Sequence, residues 1–155
     1  MEKVIMRKTF LDWILYILLY LWQLPQNIVG LVFLLYFKIF RGATLIDQTK
    51  WSAAYSSKGM AGGISLGAYC FLSESQARRK ENIAHELLGH TPQSRLLGPL
   101  YLIVIGIPSL LNAIFDFTKC YFDFFTERSA NRNAGLGVDE FCNLYFLNKE
   151  ENKES

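Results

Sequence analysis

Histidine is almost missing from this chain, which has two, His85 and His90, among 155 residues. No imidazole is left over to activate a serine or cysteine nucleophile elsewhere, and no G-x-S-x-G turn occurs, so triad hydrolysis has no support. Cysteine is scarce too. Cys70, Cys120 and Cys142 are odd in number, widely spaced and form no CxxC pair. They argue against a disulfide framework, leave room for one bond and fit a reducing compartment. Net charge is only +2, with no basic stripe, which removes the electrostatic case for a nucleic-acid partner. Gly59, Gly62, Gly63 and Gly67 crowd one segment, but no GKS/T or GxGxxG pattern follows, so they build no phosphate loop.

What the chain has in abundance is apolar surface: 51% of its residues are hydrophobic and 15% aromatic. Its length suits one domain with a core of its own. From Phe10 to Phe40 the run is interrupted mainly by Asp12, by Gln23, Pro25, Gln26 and Asn27, and by Lys38. It is too long for a signal peptide, is split by Pro25 and precedes no clean cleavage site. Three arrangements remain open. One is a single kinked span. Another is a helical hairpin turning at QLPQN, whose halves would each reach about 21 Å against about 30 Å of hydrocarbon, and so would be re-entrant or interfacial. The third is a buried helical pair. The apolar excess favours the membrane forms, with lipid as a partner. Lys3, Arg7 and Lys8 before the run, and Lys38 and Arg41 after it, favour cytoplasmic ends and a cytoplasmic active domain.

Residues 1–42 are therefore read as an N-terminal membrane-associated segment, 43–147 as the domain that carries the chemistry, and 148–155 as a charged, disordered tail. Within the domain, Thr44 to Gly63 reads as an irregular connector and Gly63–Ser73 as one strand. A helix capped by Ser73 or Ser75 runs through His90. Leu96–Phe115, punctuated by Gly98, Pro99, Gly106 and Pro108, reads as a broken helix, either packed under the site or dipping into the membrane. A further helix over Asp116–Ala134 stops at Gly135. The expected fold is mainly α with a short β element.

Both histidines lie in HELLGH, residues 85–90, with Glu86 directly after the first. Two imidazoles and a carboxylate with one open position are the donor set of hydrolytic zinc sites, where a neighbouring Glu takes a proton from water. The spacing is unusual. Four residues turn an α-helix by about 400° and bring two imidazoles to one face; five turn it by about 500° and splay them. A π-bulge absorbs the extra residue, such bulges concentrate at functional sites, and Gly89 eases the distortion.

HELLGH resembles the motif of the dipeptidyl peptidase III family, zinc peptidases that carry the same extra residue. More broadly, HELLGH followed by TERSAN (126–131) resembles the gluzincin arrangement. The resemblance implies a minimal zincin-like core. It implies one zinc ion per chain held by His85, His90 and Glu127, with Glu86 as general base and Asn131 bracing a ligand imidazole. The likeness to the peptidase family is confined to those two stretches. The flanking HTPQSRLLGPLYLIVIGIPSLLNA is similar to small bacterial membrane-associated zincin-like proteins, which usually have the HExGH spacing. The function implied is a membrane-associated zinc metallopeptidase acting on a peptide or protein substrate. Tyr101, Tyr121 and Arg128 are candidates to steady the oxyanion. Two rivals stand beside it: a non-catalytic membrane protein whose metal is structural or regulatory, and one with no metal. A closed four-ligand site would mark the first, a straight helix through 85–90 the second. Oligomeric state is not legible.

Overall fold

The computed structural model describes residues 9–147. Lys3, Arg7 and Lys8 and the 148–155 tail lie outside the described residues.

Thr9 opens helix α1 (Phe10–Trp22) with a capping box: its hydroxyl accepts from the Asp12 N–H while the Asp12 carboxylate accepts from the Thr9 N–H. Only Gln23 separates α1 from α2 (Leu24–Arg41). The Gln23 N–H reaches the Leu19 carbonyl and the Asn27 N–H reaches that of Gln23, so helical bonding runs through the junction. Pro25 sits in the first turn of α2, where its missing N–H costs nothing. The result is one kinked helix. The hairpin is not formed, because a single near-helical residue cannot reverse the chain. By length and composition α2 is long and apolar enough to cross a membrane; α1 is apolar but shorter.

The polar cluster at the kink has a different task from a turn. The Gln26 amide donates to Ser94 Oγ (3.0 Å) and the Gly98 carbonyl (2.9 Å), and Ser94 donates to Gln23 Oε1 (2.7 Å). Asn27 Oδ1 accepts from the Ala68 N–H at 2.8 Å. All three side chains are buried. They lock the apolar helix to the helix that follows HELLGH and to a sheet turn, so α2 packs as part of the domain.

Thr44 to Gly63 is not an irregular connector: it carries β1 (Thr44–Gln48) and β2 (Ala53–Ser57). Their small and polar residues hid them, since Ala54 is fully buried by packing on Cys70, Leu72 and Leu87 and not by its own bulk. The expected single strand at Gly63–Ser73 is a hairpin, β3 (Gly63–Leu66) and β4 (Tyr69–Ser73). Gly67 turns it at φ +68°, and a side chain there would strike Asn27. The sheet order is β1-β2-β4-β3, with β2 and β4 parallel and the other pairs antiparallel, so β3 is an edge strand.

Helix α3 (Lys80–Ala84) starts later than expected, after a short 3-10 turn at Gln76–Arg78, and neither Ser73 nor Ser75 caps it. The π-helical turn His85–His90 and α4 (Thr91–Leu97) continue it. The broken apolar helix is as expected: a 3-10 turn at Gly98–Leu100, a π-turn at Leu102–Gly106 and α5 (Ile107–Phe115), with a 118° bend between Lys80–Leu100 and Leu102–Phe115. The last helix is shorter than expected. Residues 116–124 are largely irregular, and α6 (Phe125–Ala134) ends at Gly135 in the left-handed conformation. A small hairpin follows, β5 (Leu136–Val138) with β6 (Leu144–Phe146). The fold is mainly α with a small sheet, as expected.

Cys120 and Cys142 form a disulfide, Cα atoms 5.6 Å apart, and only Cys70 remains a thiol, buried. This is the one bond for which the sequence left room. The 22-residue separation gives no sign of the pairing; the β5–β6 hairpin brings the two together.

Candidate metal centre

The imidazoles stand five positions apart, and the chain takes the one helical form that reunites them. In an i→i+5 helix the fifth residue along lies nearly above the first. The expected bulge is present as a full π-turn over His85–His90. Gly89 does more than ease it. A side chain there would press on the Ala130 carbonyl at 2.7 Å, so glycine lets α6 approach, while Asn133 donates to the Gly89 carbonyl.

That approach delivers Glu127 and Asn131, one turn apart on α6. His85 Nδ1 lies 2.8 Å from Asn131 Oδ1, the brace anticipated from the sequence. His90 Nδ1 lies 2.8 Å from Gln93 Oε1, and the Gln93 amide is fixed by donating to the Thr126 carbonyl at 2.9 Å. With amide oxygens as acceptors, both Nδ1 atoms carry the proton and both Nε2 atoms present lone pairs. Those lone pairs face each other at 3.1 Å and face Glu127 Oε2 at 3.0 and 3.1 Å. Three buried acceptor atoms this close need a cation among them. Donors placed tetrahedrally about 2.0–2.1 Å from a small divalent ion stand about 3.3 Å apart, so this triangle need open only by a few tenths of an ångström. His85, His90 and Glu127 are all buried and able to hold a metal ion together. Among the described residues no fourth histidine, cysteine or carboxylate joins them.

No known family model, curated protein or solved structure matches the chain.

Burial works against charge at His90, but the bonded Glu127 and nearby Glu86 outweigh it and push the imidazole up to about 9. Burial opposes ionisation of Glu127 as well; where protons on Nε2 take the ion's place, hydrogen bonds from His85 and His90 overcome it and hold the carboxyl well below its ordinary range. A proton is the natural competitor for the ion.

Glu86 is buried, and Ser65 Oγ donates to its Oε2 at 2.7 Å. Gly63 leaves the space its carboxylate occupies; a Cβ there would collide with Oε1. Two adjoining cavities, about 300 and 450 Å³, share Glu86, Tyr121, Gly63 and Ala113 in their walls, with His85 on the smaller and His90 on the larger. Burial, Glu127 and Glu86 push the Tyr121 hydroxyl upward, which keeps it a proton donor, and its side-chain bond to Glu127 ties it to the donor triangle. Tyr101 drops out as an oxyanion candidate because its hydroxyl is spent on the Ser65 carbonyl at 3.1 Å. Arg128 is exposed and lines neither cavity.

Sequence reading missed Gln93, Ser65 and Thr126. Gln93 was within reach, three residues after His90 and so on its face. Ser65 was not, since only tertiary packing sets it beside Glu86. Thr126 adds a hydroxyl to Glu127 Oε1 at 3.1 Å and accepts one from Ser109.

The π-turn makes its own test available. Leu88 is half exposed, and deleting it leaves His-Glu-Leu-Gly-His, whose spacing an ordinary α-helix satisfies. The deletion variant is expected to bind one zinc within about tenfold of the parent affinity, since no ligand or brace is lost. Calorimetric titration checks it; a folded variant that binds none would show the imidazoles converge for another reason.

Proposed function

We propose that the chain is a membrane-associated, zinc-dependent metallopeptidase of gluzincin type. The observation that carries this reading is the convergence of two Nε2 lone pairs and one carboxylate oxygen beside the buried, cavity-lining Glu86. Two imidazoles and a carboxylate suit zinc. Bound there by His85, His90 and Glu127, zinc would supply Lewis acidity, lowering the pKa of a water and polarising a carbonyl. Asn131 and Gln93 hold the ring protons on Nδ1 and so keep both imidazoles aimed. Glu86 takes the proton from the attacking water and returns it to the leaving amine. Tyr121 donates a hydrogen bond to the carbonyl oxygen as charge builds on it. A three-donor site with no fourth ligand among the described residues favours this over the structural-metal rival, whose site would be closed.

The apolar kinked helix and its buried clamp support attachment to a bilayer through α2. The Cys120–Cys142 bridge supports the oxidising side of that membrane for the metal domain, against the cytoplasmic side favoured by Lys3, Arg7, Lys8, Lys38 and Arg41. We weigh the covalent bond above the charge bias. The reading is tested with detergent-purified protein: about one zinc per chain by elemental analysis, cleavage of an unbiased peptide pool, and loss of cleavage on chelation. Metal-loaded protein that cuts nothing would overturn it.

A further inference from the structure

The larger cavity joins the metal site to the apolar helices. Glu86, His90 and Tyr121 line one side; Leu102 and Ile107 of the broken helix and Phe33 of α2 line the other. The outer faces of the same elements are bare of protein: Ile103, Ile114 and Phe115 are 60–64% exposed, and Ile39 and Phe40 at the end of α2 are 70% exposed. Exposed apolar surface on this scale marks a lipid or protein contact, and α2, which carries part of it, is long and apolar enough to cross a bilayer. Glu86 and Tyr121 thus open on two sites: the smaller cavity with Gln76, Asn82 and Asp116 in its wall, and this larger apolar one towards the layer in which those faces lie.

Edge strand β3 borders the same cavity. The Ser73 N–H bonds the Gly62 carbonyl and the Tyr101 hydroxyl bonds the Ser65 carbonyl. By the alternation of an antiparallel pair, Gly63 and Ser65 turn their backbone groups away from β4. The Ser65 N–H and both backbone groups of Gly63 are on the side where an extended chain can pair.

We infer, on the strength of the peptidase reading, that the substrate is an apolar polypeptide segment of a membrane protein. It enters from the bilayer side, lies extended along β3 and places a large aliphatic side chain in the cavity. A soluble polar peptide would have to strip its water against Leu102, Ile107 and Phe33 with little to bond there. A membrane-derived segment is already dehydrated and already at that height.

The test uses the full zinc-loaded chain in phosphatidylcholine–phosphatidylglycerol vesicles. Two single-span reporter peptides are compared, one with leucines around the cut site and one with serines at those positions, beside an unbiased soluble peptide pool. The leucine reporter is expected to be cut at least about tenfold faster than the serine one. Ala113→Phe, an exposed position on the wall of both cavities, is expected to keep its zinc and lose at least about tenfold on the leucine reporter. Equal cutting of both reporters, or cutting of the soluble pool alone, would overturn the substrate class and leave the peptidase standing. If neither reporters nor pool are cut, the peptidase reading fails and this inference with it. The wild-type comparison decides even if Ala113→Phe does not fold.

Discussion

Glu127→Ala should leave a chain that folds and holds no zinc: about one ion per molecule in the parent, none in the variant under equal loading. The carboxylate is the only anionic member of the donor set, and its Oε2 sits 3.0 and 3.1 Å from the two imidazole nitrogens. Losing an outer-sphere partner of a metal ligand costs about 10–100-fold in affinity; losing an inner ligand from a three-donor site must exceed that. The fold should tolerate the change better than a broken buried ion pair usually would. With Glu127 gone, His90 loses the chief partner of its charged form, and burial then favours the neutral imidazole. Asn131→Ala gives the graded comparison, a 10–100-fold weaker site of unchanged stoichiometry. Elemental analysis and zinc titration, with thermal unfolding beside them, read all three proteins. Zinc bound by Glu127→Ala at parent affinity would remove α6 from the site and end the gluzincin reading.

That experiment rests on residues the sequence displayed openly. HELLGH holds every histidine in the chain, and five-residue spacing allows a shared ion only through a π-turn, so local helix geometry could be deduced from six letters. Glu127 and Asn131 were legible because one helical turn separates them. What packing alone decides was hidden. Nothing in GISL announces that Ser65 orients Glu86, or that Gly63 is glycine to make room for a carboxylate. The strands TLIDQ and AAYSS carry too little apolar contrast to stand out from a loop; they exist because β4 and Leu87 cover Ala54. The polar QLPQN looked like a turn in water, whereas its amides are buried bonds to α4 and to the β3–β4 turn. Disulfide pairing followed from a hairpin that brings Cys142 to Cys120, and no spacing rule contains it.

Glu86→Gln separates chemistry from binding. The amide fills the same volume beside Gly63, and the Ser65 hydroxyl can bond it either as donor or as acceptor, so the buried site should keep its shape. Zinc content and unfolding temperature should match the parent, because neither Glu86 oxygen belongs to the donor triangle. What the variant lacks is a basic oxygen to take a proton from water and return it to the amine. A positioned general base is worth about 10²–10⁴ in rate, so cleavage should fall about a thousandfold. The loss should appear in kcat with KM little changed, since the proton moves only in the transition state. Glu86→Asp, which keeps the base but draws it back by one methylene, should recover part of that loss. If Glu86 merely propped the helix against β3, the pattern would invert: Gln, which preserves shape, would retain activity, and Asp, which opens a gap, would be the worse variant. Full activity in Glu86→Gln with zinc bound would refute the mechanism outright.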